Sequence, residues 1–318
     1  MADTVLRLSG CRARPLLGYL KALGVLRIVA RQADTRARGR WAGGVFELRS
    51  SLDAGDFERF LLERYSPSPI VSPWNGGSGF FPKDDTRAIE TIEADASDRL
   101  GPFRDAITVA RATLARLEIE SKPDSKEQKP RLLRALRGSL PDRALEWLDA
   151  AVVVLGEERT HFPPLLGSGG NDGRYDFANN YAQAVVRVLG LGTDGSETSR
   201  RWLRSAVTDD SAPLVKGMSL AHLARDASPT NSPQGESDAL GNPWDLILGL
   251  EGSLTFAAGA ARRHGSALQG AMVAPFTAVT TGAGYGSAIE NEKGRAELWL
   301  PVWTRWASLV EIEAVAHL

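Results

Sequence analysis

The sequence is poor in the residues on which most catalytic and metal chemistry depends. Its 318 residues include one cysteine, Cys11, so no disulfide can form within the chain, and a reducing, cytoplasmic setting is expected. The four histidines, His161, His222, His264 and His317, are far apart and lack paired metal-ligand spacing. Each reads as a surface or packing histidine, and no metal is expected. No apolar run reaches the roughly 20 residues that span a bilayer. The longest apolar patterns, Leu16 to Ala30 and Leu246 to Ala261, are interrupted by Lys21, Arg27 and Glu251 and read as core helices. Met1 to Ser9 has no charged segment followed by an apolar one, so it does not read as a secretory signal.

Lysine is scarce too. Seven of the 38 basic residues are lysine, and the rest are arginine, the better bidentate partner for phosphate and guanine. A GC-rich genome raises arginine everywhere, but it accounts less well for clustering. Residues 1–40 carry nine basic side chains, Arg12, Arg14 and Lys21 among them, against Asp3 and Asp34, although the whole chain has a net charge of −1.

Glycine, by contrast, is plentiful and concentrated. Two loops combine it with amide and hydroxyl side chains: Ser72-Pro73-Trp74-Asn75-Gly76-Gly77-Ser78-Gly79-Phe80 and Leu166-Gly167-Ser168-Gly169-Gly170-Asn171-Asp172-Gly173-Arg174. Glycine lets backbone N–H groups approach a ligand, and successive N–H groups form a concave anion cradle. Asparagine offers a donor and an acceptor on one plane, suited to a base edge or a sugar-phosphate. Arg174, Asn179 and Asn180 extend the second loop's polar character. The alternative for both loops is structural: a hairpin turn beside a core tryptophan, and a rigid polar turn.

Enzymatic readings find little support. Gly167 to Gly173 lacks the Gly-Lys-Ser/Thr ending of a Walker A loop, and no apolar strand leads into it as in a dinucleotide fingerprint. Arg12 and Arg14 beside Cys11 favour a thiolate, but a buried inert cysteine is the commoner case. Asp84-Asp85 suits either a hard cation or the N-terminus of the next helix. A non-catalytic protein without cofactors is therefore expected, one that holds a nucleic acid.

The pattern predicts a mostly helical α+β protein with small antiparallel sheets and no common superfold. Expected elements are a strand at 4–8, a helix from Pro15 to about Ala33, a hairpin over 38–49 turning at Gly43-Gly44, and a helix capped by Ser51 or Asp53. Further helices are expected at 86–118 (broken near Gly101-Pro102), 131–139, 142–156, 179–189, 196–207, 243–263 and 308–318. Strands are expected at 271–279 and 296–303. Residues 119–130 read as a linker or surface loop between an N-terminal region, 1–118, and a second region, 131–318. Residues 208–242 read as a loop or disordered segment.

Taken in order, several segments resemble one family. They are Gly10-Cys11, Pro15-Leu16, Tyr19-Leu20-Lys21-Ala22-Leu23-Gly24-Val25-Leu26-Arg27, Gly39, Trp41, Pro69-Ile70, the two glycine loops, and Asp176-Phe177-Ala178-Asn179-Asn180. The chain resembles the N-terminal part of the large subunit of type I-G (formerly I-U) CRISPR effector complexes, from Leu8 to Trp303. The resemblance implies a non-catalytic subunit of an RNA-guided surveillance complex, Cascade. Such a subunit recognises the protospacer-adjacent motif (PAM) in duplex DNA and supports target loading, R-loop formation and helicase–nuclease recruitment in antiviral defence. Implied partners are crRNA, target double-stranded DNA, the backbone subunit, the fused guide-end and guide-processing subunit, and a helicase–nuclease acting in trans. The C-terminal helical region usual in the family is expected to be absent. In this scheme Arg12, Arg14 and Lys21 hold phosphates. Trp74, Asn75, Gly76, Gly77, Ser78, Ser168, Gly169, Gly170, Asn171, Arg174, Asn179 and Asn180 contact DNA or crRNA. The alternative is an assembly scaffold that grips the guide's 5′ end and neighbouring subunits without reading DNA, with Trp299, Trp303 and Trp306 at an interface.

Overall fold

The computed structural model describes residues 3–124, 126–155, 159–172, 175–218, 223, 240–261, 271–281, 284–287 and 296–316. The chain opens with β1 (Thr4–Arg12), α1 (Leu16–Gln32) and the hairpin β2 (Arg38–Ala42) and β3 (Val45–Ser50). Gly43 and Gly44 both take positive φ, the geometry of a two-residue hairpin turn. Asp53 caps α2 (Ala54–Arg59) by accepting from the Asp56 N–H. Pro67, Pro69 and Pro73 then hold an irregular segment that carries the first glycine loop.

Four helices follow: α3 (Arg87–Ala94), α4 (Gly101–Arg116), α5 (Gln128–Arg137) and α6 (Asp142–Ala151). The pair β4 (Val153–Leu155) and β5 (Arg159–His161) leads to the second glycine loop, which ends in β6 (Asn171–Asp172) and β7 (Tyr175–Asp176). Next come α7 (Phe177–Val188), α8 (Ser196–Thr208), β8 (Val215–Lys216), β9 (Leu240–Gly241) and α9 (Pro243–Ser253). The remaining elements are β10 (Gly259–Ala261), β11 (Ala271–Val273), β12 (Thr277–Thr281), β13 (Gly284–Ser287), β14 (Ala296–Leu298), β15 (Ala307–Ser308) and α10 (Leu309–Ala316). The fold is α+β and mainly helical, and its sheets are small and antiparallel. The largest runs β1-β3-β2-β15, so the end of the described chain completes a sheet begun at its start.

At the centre α1 crosses α9 with backbone touching backbone. A Cβ at Gly24 would lie 2.0 Å from the Leu248 carbonyl oxygen, and one at Gly252 would lie 1.9 Å from that of Leu20. Only glycine permits this approach, although it is a poor helix former. One hydrophobic cluster contains Leu8, Leu26, Phe103, Leu133, Trp147, Tyr181 and Trp244, residues from both sides of the 119–130 segment. Within it Glu251, fully buried, accepts from Tyr65 Oη (2.7 Å), Tyr181 Oη (3.0 Å), Ser68 N (2.9 Å) and Ser68 Oγ (2.8 Å), and pairs with Arg27. Arg27 also pairs with Glu146.

Several expected boundaries move. The helix opened by Pro243 stops at Ser253, where the Ser253 and Thr255 hydroxyls bond to the Leu250 and Gly252 carbonyls and a short 3₁₀ turn leads to β10. Arg262-Arg263 lies outside the described residues. The strand expected over 271–279 is two strands, split by a turn in which Phe276 takes a φ of +53°. The strand from Ala296 ends at Leu298, ahead of Pro301, and Trp303 packs against Trp41 at a ring distance of 6.0 Å. The helix expected over 142–156 gives way at Ala151 to the β-branched run Val152-Val153-Val154. α5 starts at Gln128, inside the expected linker, after a turn in which the Asp124 carboxylate accepts from the Lys126 and Glu127 N–H groups. Ser308 and Glu311 form a reciprocal capping box on α10. Most of the segment 208–242 lies outside the described residues.

Candidate nucleic-acid interface

The backbone N–H groups of the first glycine loop do form an anion cradle, and the protein fills it itself. The Asp84 carboxylate accepts from Gly77 N at 2.8 Å, Gly79 N at 3.0 Å and Phe81 N at 3.3 Å, and Ser78 Oγ lies 3.4 Å away. Asp84 therefore occupies the position a ligand anion would take. Asp85 turns the other way, to Arg87 at the start of α3.

The two loops, about ninety residues apart in sequence, dock on each other. Trp74 Nε1 and Asn75 Nδ2 both donate to the Gly169 carbonyl, at 2.9 and 2.8 Å. Asn75 Nδ2 also reaches Asp176 Oδ2 at 3.1 Å. From α7, Asn179 Nδ2 donates to Gly77 O at 2.8 Å and to Asp85 O at 3.2 Å, and Asn180 Nδ2 donates back to Asp176 O. Gly169 and Gly170 take positive φ, and added Cβ atoms would meet Phe162 Cε1 at 2.8 Å and Trp147 Cζ2 at 2.6 Å. The carbonyl of Asn171 holds Ser168 N at 2.8 Å. Trp74, Asn75, Ser78, Gly169, Gly170 and Asn179 are buried, whereas Gly77 and Ser168 are exposed. The amides expected to read bases thus mostly lock the two loops together.

Asp176 is the anchor of this joint. Its carboxylate caps α7 through Asn179 N at 2.9 Å, yet burial pushes its pKa up to about 7 against the lowering effect of its hydrogen bonds. The buried Oδ1 atoms of Asn171 and Asn179 have no hydrogen-bond partner among the described residues.

Two lysines that the sequence reading assigned to a linker sit on the joint. Lys129 Nζ donates to Asn75 Oδ1 at 3.2 Å and lies 5.3 Å from the centre of the Phe162 ring. The Lys122 stem lies over Gly76, its Cδ 3.0 Å from where a Cβ would be. Burial, then the neighbouring Lys122 charge, lower the Lys129 pKa to about 8, with Asp176 opposing. Lys122, Lys126, Lys129 and Arg131 make no ion pair with an acid among the described residues. Concentration of lysine in an arginine-dominated chain was the signal available: three of the seven lie between residues 122 and 129.

The N-terminal basic cluster is different from its local charge. Lys21 is buried, and its Nζ donates to Asp245 Oδ1 at 2.7 Å and Ala206 O at 2.8 Å, so it is not presented to a phosphate. Arg12 pairs with Asp209 at 3.0 Å on the surface. Arg7, Arg27, Arg31, Arg36, Arg38 and Arg40 also pair with acids. Arg14, exposed, is the one member of the cluster without such a pair among the described residues. Arg174, His222, His264 and His317 lie outside the described residues. His161 is buried, as is Cys11, whose thiol burial raises to about 12. Trp303 bonds Gly39 O from Nε1 and packs inward, while Trp299 is exposed.

Among the described residues no group of three His, Cys, Asp or Glu side chains is placed to hold a metal, and no helix is long and apolar enough to cross a membrane. No protein-family model matches the chain, and no curated protein matches it.

Proposed function

We propose that this chain is a non-catalytic, nucleic-acid-binding subunit of an RNA-guided complex of the type I-G kind, and that it grips nucleic acid at the joint of its two glycine loops. The resemblance in sequence supplies the complex, with crRNA, PAM-bearing duplex DNA and the other Cascade subunits as partners. The observation that carries the binding site is the placement of Lys122 and Lys129 together over Asn75 and Gly76, with no ion pair to an acid among the described residues. Two like charges held close, one of them partly desolvated, gain most from an anion brought between them.

In this reading the joint grips phosphate, and sequence is read elsewhere or by base pairing. The engagement of the Asn75 and Asn179 amides inside the protein favours that assignment. It equally favours the second reading, a scaffold that holds the crRNA 5′ end without reading DNA.

The test is binding of the complex, assembled with the parent subunit, with Lys122→Ala/Lys129→Ala, or without the subunit, to duplexes with and without a PAM across a salt series. The double variant is expected to weaken all duplexes alike and to reduce the salt slope by about 1.8, which is about 0.9 per lost phosphate contact on duplex DNA. PAM preference persisting without the subunit would leave the scaffold reading in place. Unchanged affinity and slope in the double variant would remove the joint as a binding site.

A further inference from the structure

The four-stranded sheet presents a second basic surface, on elements separate from the loop joint. Its inner face buries Leu8, Trp41, Phe46 and Leu48. Strand alternation therefore brings Arg7, Arg38, Arg40, Glu47 and Arg49 to the outer face. Glu47 lies opposite both Arg7 and Arg40 and pairs with them at 3.3 and 2.8 Å. Arg38 lies directly opposite Arg49, a cross-strand pairing of like charges that costs stability unless an anion relieves it. Arg38 reaches Glu311 of α10 at 3.2 Å, but Arg49 and the exposed Arg305 pair with no acid among the described residues. Both Arg40 and Arg49 lie on the Trp306 ring, their guanidinium carbons 4.4 and 4.7 Å from its centroid.

We propose that this outer sheet face, Arg38, Arg40, Arg49 and Trp306, with the exposed Arg305 next to Trp306 in the chain, docks single-stranded nucleic acid. A guanidinium lying on an indole is fixed in orientation; Glu47 holds the Nε and Nη2 of Arg40, so the N–H edge left to a phosphate oxygen is that of Arg49. Adjacent planar guanidinium and indole groups also suit unstacked bases, which a single strand presents and a duplex does not. Charge complementarity selects the partner: Arg7, Arg38, Arg40, Arg49 and Arg305 face two carboxylates, Glu47, which Arg7 and Arg40 share, and Glu311, which pairs with Arg38. The proposal does not depend on the lysine joint and stands or falls separately from it.

The test uses the full chain with a labelled oligo-dT and a labelled duplex, followed by fluorescence anisotropy across a salt series. Arg49→Ala and Arg305→Ala are each expected to weaken oligo-dT binding about tenfold or less and to reduce the salt slope by about 0.7, one phosphate contact on a single strand. Arg49→Lys should keep the slope and still lose affinity, because it keeps the charge but not the stacked plane. Arg305 lies outside the sheet ladder, so its variant reports even where Arg49→Ala perturbs folding. Normal oligo-dT binding by Lys122→Ala/Lys129→Ala supports a separate surface. Failure of the parent chain to bind oligo-dT, parent-like binding by both alanine variants, or a greater loss for duplex than for single strand overturns the proposal.

Discussion

Asn75 joins two titratable groups through one amide: its Nδ2 donates to the Asp176 carboxylate at 3.1 Å and its Oδ1 accepts from Lys129 at 3.2 Å. The same Nδ2 holds the Gly169 carbonyl. A side chain suited by type to a base edge is thus the bridge between two loops, a helix cap and a half-buried lysine.

Asn75→Ala removes all three contacts and leaves buried polar groups short of partners. It should destabilise the protein by about 1–3 kcal/mol, read as a lowered urea midpoint with an unchanged m-value. A variant of parental stability that loses only nucleic-acid affinity would show that Asn75 acts on the ligand instead.

The raised pKa of Asp176 sets a pH dependence. Between its unfolded value of 3.8 and its folded value of about 7, the native state retains a proton that the unfolded chain has released. This group's contribution to stability therefore falls as pH rises through that window and levels off above it. Asp176→Asn should gain relative to the parent from pH 4 to 7 and hold a constant difference beyond, in urea titrations at each pH.

Lys129 behaves oppositely, since its pKa falls from 10.5 to about 8. The unfolded chain binds the extra proton between those values, so the contribution of Lys129 to stability rises with pH across them. Anion binding at the joint needs the charged form and should weaken as pH passes about 8. Lys129→Arg should remove that weakening, measured as oligonucleotide affinity at pH 7 and pH 9.

Glycines in the two loops should respond unequally to alanine. Gly170→Ala adds φ strain and a Cβ only 2.6 Å from Trp147, and should cost more than about 2 kcal/mol. Gly77→Ala shares the positive φ but meets nothing within 4 Å, and should cost about 1 kcal/mol. Thermal unfolding of the two variants checks the order.

Glu251→Gln should cost about 3 kcal/mol or more, because it leaves the Arg27 charge buried with less compensation. Burial alone would raise the Glu251 pKa. The Arg27 charge and the hydrogen bonds from Tyr65 and Ser68 outweigh it and hold the pKa below its usual value.

Local signals in the sequence determined much of the fold. Pro15 and the apolar run to Ala30 specify α1, Gly43-Gly44 the hairpin, Asp53 and Ser308 their caps, and the charged 119–130 segment a break between helices, because each rests on contacts within a few residues. Both glycine loops were also legible as unusual. Only the tertiary structure decided what these features do. The carboxylate that fills the first cradle comes from Asp84, the carbonyl that receives Trp74 and Asn75 comes from Gly169, and the acids that neutralise the N-terminal arginines include Glu146, Asp209, Glu311 and Glu313. Charge and hydrogen bonding act through space at a few ångströms, so a residue's partners follow from where the chain returns and not from its neighbours in sequence. Lys122 and Lys129 gained their place on the joint for the same reason.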